Sequence, residues 1–287
     1  MAEKTLFIEI FQPFAQYRNP FTFYYAQSYP LPPKSTIIGM LQNATNRYYD
    51  PEFWNLKVSV HGGFESVFWN YQQLIKGDVA ISRVGLINKH DRNPLANIWH
   101  PLYHLTIKAQ RTPVYQQELF NGHLFIFVKG NEDLIEIIKS SLENPKKVLF
   151  LGRSEDIIFL KSQPKILEDE GAKPQVKSVK KSLWLKYPTY IKLSKKKGNC
   201  KPEDKFPIRN DKFPVYSIPV RVVFKNDGQI IRNKAELNKN TKREVEFEPV
   251  IYTGYDYVVY LEREIEVEKY SINNEKDFKI PTDYGWL

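Results

Sequence analysis

Cysteine is nearly absent: Cys200 stands alone in 287 residues. A lone thiol excludes an internal disulfide and any cysteine-rich zinc site. Long apolar runs are missing too. No stretch approaches the ~18 consecutive apolar residues of a membrane-spanning helix, so no membrane association is expected. The opening residues, MAEKTLF, lack the basic-then-apolar layout of a secretory signal. A cytoplasmic location is expected. Histidine is scarce, five in all. His100 and His104 have i,i+4 spacing, but Pro101 sits between them and no carboxylate motif accompanies them. His61 and His90 show no convergent partner, and Gly62-Gly63 is not a phosphate loop. No metal and no cofactor are expected.

What is present is positive charge and aromatic surface. The net charge is +9, unevenly placed. Residues 173–212 carry 13 basic and 3 acidic side chains, whereas 244–287 carry 4 and 11. A basic block beside an acidic stretch fits either a polyanion-binding face or a solvated, mobile lysine-rich loop. The 18 Tyr, 18 Phe and 5 Trp can build a core or stack on unpaired bases.

Residues 4–11 (KTLFIEIF) alternate as a first strand. A proline-punctuated loop follows, and Ser35 or Thr36 reads as the N-cap of a helix to about Tyr48. Residues 56–64 and 122–128 are further strands. Asn131 opens a helix to Leu142, with Leu134, Ile135, Ile138 and Leu142 at helical spacing. A last strand region, broken by Gly152, is expected over 147–160. This β-α-β, insertion, β-α-β order predicts an α+β fold: a ferredoxin-like, RRM-type domain over 1–164. It carries a long β insertion at about 66–119. A basic linker with loops is expected over 165–212, and a smaller β-rich region over 213–287. Asn226-Asp227-Gly228 signals a hairpin turn in that region.

Residues 29–41 (YPLPPKSTIIGML) bring Lys34, Ser35 and Thr36 to a helix start, where free N–H groups and the dipole favour an anion. Gly39 would let another backbone pack close. An ordinary capped helix is the alternative reading. Upstream lies FAQYRNP (14–20) and downstream LFLGRSED (149–156). With these three segments in this order, the sequence resembles CRISPR-associated protein family number five, of the RAMP superfamily.

The resemblance implies an RRM-like domain with a thumb-like insertion, in a Cascade complex subunit that binds the 5′ handle of the CRISPR RNA. Arg18, Lys34, Ser35, Thr36, Gly39, Gly152, Arg153 and Ser154 match its RNA-binding segments, and Arg18 and Arg153 are expected to contact phosphates or bases. Arg83, Lys89, Arg92, Lys108 and Arg111 fall in the insertion, where they would line RNA or a partner subunit, or remain solvent-exposed charges. The implied partners are CRISPR RNA, the repeating Cascade backbone subunit, the large subunit, and target DNA near the protospacer-adjacent motif. Charge alone suggests Lys195, Lys196 and Lys197 as DNA contacts.

Some relatives cut CRISPR RNA without metal, which needs a general base, a general acid and a cation. Here the segment 108–113 (KAQRTP) has no adjacent histidine, and His123 reads as structural or surface-exposed. A subunit without catalytic residues, not an enzyme, is therefore expected, with type I-B-like features. The alternatives are a metal-independent endoribonuclease and the related RNA-binding subunit of a type III complex.

Overall fold

The computed structural model describes residues 3–22, 24–76, 110–209, 213–273 and 275–287. In chain order the elements of the first half are β1 (Glu3–Ala15), β2 (Tyr25–Ala26), α1 (Lys34–Thr45), β3 (Lys57–Lys76), β4 (Gln110–Asn131) and α2 (Glu132–Glu143). Two short strands, β5 (Phe159–Leu160) and β6 (Lys165–Ile166), close this half. Antiparallel pairing places β4 between β3 and β1, with β5 and β6 on the far side of β1.

Alternation along β1 and β4 explains why the middle of this sheet is buried on both sides. Leu6, Ile8 and Ile10 sit opposite Val128, Ile126 and Leu124 and share a core with Ile37, Ile38 and Leu41 of α1 and Leu134, Ile135 and Ile138 of α2. The intervening side chains, Phe7, Phe125 and Phe127, point the other way and are also buried. Beyond β6, the linker and loops expected over 165–212 contain three further strands among the described residues: β7 (Gln175–Val179), β8 (Ser182–Leu185) and β9 (Tyr190–Lys192). Their apolar residues are few but well placed: Leu183, Leu185, Tyr190 and Ile191 are buried among lysines that stay outside.

The remaining strands are β10 (Val215–Asn226), β11 (Gln229–Ile230), β12 (Lys242–Tyr252), β13 (Tyr257–Tyr260), β14 (Ile265–Ile272) and β15 (Lys276–Pro281). The hairpin signal at 226–228 holds. Asn226 pairs with Gln229, and Asp227 and Gly228 both take positive φ (48° and 83°), as a two-residue primed turn requires. β14 and β15, with β7, lay Tyr270 and Phe278 over Phe7, Phe125 and Phe127. Val58 and Leu287 exchange backbone hydrogen bonds (3.2 and 2.9 Å) across the two halves.

The strand region expected over 147–160, broken by Gly152, reduces to a bridge, Phe150 to Ile157, followed by β5. Gly152 at φ 117° turns the chain, and Pro164 removes a donor between β5 and β6. The result is mixed α+β, sheet-rich, with two α-helices among the described residues. β3 and β4 remain paired out to Lys76 and Gln110. The middle of the insertion expected at about 66–119, residues 77–109, lies outside the described residues.

Candidate nucleic-acid interface

The approach to α1 is clamped from the C-terminal half. Tyr29 donates its hydroxyl to the Ser217 carbonyl (2.7 Å), and Tyr190 donates to the Leu31 carbonyl (2.8 Å) while accepting from the Leu31 N–H (3.1 Å). Pro33, with extended dihedrals, is the N-cap, and no side chain caps the helix. Ser35 and Thr36 are therefore first-turn residues rather than caps. The Pro33 carbonyl accepts from Thr36 and Ile37. The Lys34 and Ser35 N–H groups belong to the first turn, which has no intrahelical acceptor to offer them.

Beside this helix start lies a cleft of about 390 Å³. Ser35, Thr36 and Gly39 form one wall and Gly152 another, with Phe224 of β10 and Arg243 of β12 facing them. Three segments remote in sequence thus meet. Gly39 is exposed, and a Cβ there would find nothing within 4 Å. No backbone packs on it, contrary to expectation; it keeps the cleft open. Arg243 is exposed and has no carboxylate partner among the described residues. Sequence reading missed it. The only signal was the +5 charge of residues 213–243 (7 basic, 2 acidic).

Lys34 does not reach the cleft. Its side chain is buried, and its ammonium donates to the Trp54 carbonyl (3.4 Å). Burial, then the nearby charges of Lys192, Lys197 and Arg221, push its pKa down to about 8 against the opposing pull of Glu246. It contributes field rather than contact.

The Gly152–Ser154 loop is built around a buried carboxylate. Asp156, 1% exposed, accepts from the Arg153 N–H (2.9 Å) and the Gln16 N–H (3.0 Å). A Cβ on Gly152 would meet that carboxylate at 2.7 Å, and its φ of 117° is left-handed, so glycine is required. Arg153 is expected to contact RNA, but its guanidinium is already held by Asp156 (2.8 Å), Glu118 (3.4 Å) and Glu155 (3.3 Å). Burial lowers its pKa, and the Asp156 hydrogen bond and the three acids outweigh that and raise it. Arg153 shapes the loop. Ser154 is exposed and donates to Glu155 (3.1 Å), away from the cleft lining.

Arg18 is exposed, bridged to Ser28, and does not line the cleft. It lies toward β2, where Tyr25 stacks on Tyr115 (5.6 Å, 11°) with Tyr71 and Trp69 at their edges. All four rings are exposed. Lys195, Lys196 and Lys197 each meet an acid: Asp283 (3.8 Å), Asp204 (3.6 Å) and Glu246 (3.0 Å). That pairing weakens the case for a free DNA-binding triplet. Arg83, Lys89, Arg92 and Lys108 lie outside the described residues, as does the side chain of Arg111. His123 is exposed against Phe11 (5.3 Å). Among the described residues no three His, Cys, Asp or Glu side chains converge as metal ligands, and no helix is long and apolar enough to cross a membrane.

These features define a sheet-rich α+β protein with an open, cation-edged cleft at a helix start. The family described as CRISPR-associated protein (Cas_Cas5) matches residues 5–254, and the chain belongs to it. Its fold is similar to a chain of a CRISPR RNA-guided surveillance complex, at 12% identity and TM-score 0.47 over 90% of both chains. It is also similar to a CRISPR protein from Archaeoglobus fulgidus, at 10% identity and TM-score 0.39, over 96% of this chain and 98% of that one. No curated protein matches the sequence.

Proposed function

We propose that the chain is a non-catalytic subunit of a type I CRISPR surveillance (Cascade) complex. In this reading it binds the 5′ handle of the CRISPR RNA and anchors the large and backbone subunits. Membership of the CRISPR-associated family supports the setting. The observation that carries the RNA-binding reading is the cleft uniting Ser35, Thr36 and Gly39 with Gly152 and Arg243. First-turn N–H groups, two hydroxyls and one unpaired guanidinium suit a phosphate and the nucleotide attached to it. We read the β3-β4-β1 sheet with its two helices as ferredoxin-like, and the β3–β4 ribbon as the root of the thumb. At Phe125 and Phe127 the sheet face is covered, so bases cannot stack there in the RRM mode.

The decisive substitutions are at Gly39, where space is free. Gly39→Ala should stabilise the helix by about 0.5–1 kcal/mol. Gly39→Phe fills the cleft and should weaken binding of handle RNA about tenfold or more in fluorescence anisotropy. Unchanged affinity would remove the cleft from the RNA path. Absence of nuclease activity is part of the proposal. It is tested by incubating the protein with repeat RNA in EDTA; site-specific cleavage abolished by His123→Ala or Lys108→Ala would reverse it.

A further inference from the structure

Four lysines, none from the triplet at 195–197, line a second groove of about 360 Å³: Lys177 of β7, Lys186 just after β8, Lys269 of β14 and Lys279 of β15, with Trp184 of β8 and Asp277 of β15. Lys269 and Lys279 face each other directly across the β14–β15 ladder. Lys177 shares their side of the sheet, because it pairs with Val267, two positions from Lys269. Like charges directly opposite on a sheet oppose folding. One acid answers four lysines: Asp277, already bonded to Lys269 at 2.9 Å. Lys177, Lys186 and Lys279 have no carboxylate within ion-pair distance among the described residues. Burial, then Lys269, lowers the Lys279 pKa against the opposing pull of Asp277.

Aromatic surface accompanies the charge. Trp184 is 45% exposed, and the Lys279 ammonium lies 5.2 Å from its ring centroid. Lys186 lies over Tyr187 (5.5 Å). A groove that tracks phosphates with lysines and presents an indole for a base is the arrangement that single strands favour. An acidic protein surface would satisfy the lysines but would give Trp184 no comparable partner.

We propose that this groove is a second nucleic-acid site, separate from the α1 cleft. It takes the sugar-phosphate backbone of an unpaired strand on Lys177, Lys269 and Lys279, with a base on Trp184. RNA and displaced DNA offer the same chemistry here, and the experiment separates them.

The full chain carrying Gly39→Phe, which fills the first cleft, is titrated with labelled oligouridylate and oligothymidylate over a range of salt. Adding Lys177→Ala and Lys279→Ala should weaken binding about tenfold and reduce the salt slope by about 1.4, some 0.7 for each lost phosphate contact on a single strand. Trp184→Ala should weaken binding about fivefold or more without altering the slope. Circular dichroism establishes that each variant is folded. A preference for uridylate over thymidylate assigns the groove to RNA, and the reverse to DNA. If both strands bind these variants as they bind the Gly39→Phe chain, the groove is a protein-docking face and the proposal falls. Failure of Gly39→Phe alone to weaken handle binding would sink the first cleft and leave this test intact.

Discussion

His61 and Lys34 are basic side chains held where a charge is poorly solvated. His61 is buried against Phe127 and Phe278, with its Nε2 3.1 Å from the Ser59 hydroxyl. Burial pushes its pKa down to about 3, so the folded chain keeps a neutral imidazole. Below pH ~6.5 the unfolded chain takes up a proton that the folded chain refuses. The stability associated with His61 is therefore complete above that pH and is lost as the pH falls toward 3. Its slope is ~1.4 kcal/mol per pH unit. Urea unfolding between pH 6 and pH 4 should show a slope shallower by about that amount in His61→Gln than in the unaltered chain. Equal slopes would mean that the imidazole titrates normally.

Lys34 gives the same sign in another window. Its pKa of about 8 lies below the ordinary lysine value of 10.5. The unfolded chain thus keeps its proton longer, and stability climbs as the pH rises from about 8 to 10.5. Lys34→Met removes a charge whose burial costs on the order of 3 kcal/mol. It should raise stability at pH 7, with a gain that shrinks toward pH 10. A gain independent of pH would point to packing alone.

At the scale of elements, the loop after α2 shows what patterning reveals and what it hides. α2 was legible because Leu134, Ile135, Ile138 and Leu142 repeat at helical spacing, and β1 because alternation is a local property. The segments Ser35–Gly39 and 149–156 stood out as motifs, but not their roles. Arg153 read as an RNA contact through the family resemblance of its loop and because a guanidinium can pair with phosphates. Its partner Glu118 lies 35 positions away on β4, and no local pattern records that pairing. Strands β7, β8 and β9 were hidden for a related reason: two or three apolar residues per strand are submerged in a lysine-rich composition. Pro33 as N-cap escaped because side-chain oxygens, not prolines, mark helix starts.

The loop's dependence on one carboxylate makes a prediction at this scale. Asp156→Asn keeps the shape but loses the charge that answers Arg153, and one amide oxygen must replace two acceptors. Removing one partner from a buried pair costs about 3–5 kcal/mol; here Arg153 retains Glu118 and Glu155, so about 2–3 kcal/mol is expected. Double-mutant cycles with Arg153→Met should show strong coupling. If the two losses simply add, the ion pair is not what holds the loop.

For the whole molecule, the decisive arrangement is that the sheet around Phe7, Phe125 and Phe127 is buried on both faces. Helices α1 and α2 cover one side; Tyr270, Phe278 and Trp286 cover the other. Phe278 touches Phe7, Phe125, Phe127 and Tyr187 with ring centroids 5.1–6.0 Å apart. The backbone pairing of Val58 with Leu287 ties the same layers together. This burial closes the part of the sheet face at Phe7, Phe125 and Phe127, while the cleft and the groove at the margins stay open. It also couples the two halves energetically, because neither can expose its aromatic layer without the other. Phe278→Ala should cost about 3–5 kcal/mol, and calorimetry should still show one transition, shifted to lower temperature. The alternative outcome is distinct: a low-temperature transition for residues beyond about 165, followed by an unshifted one for the first half. That result would mean that the aromatic layer is an interface between independently stable units, and the central sheet face could then open to a ligand.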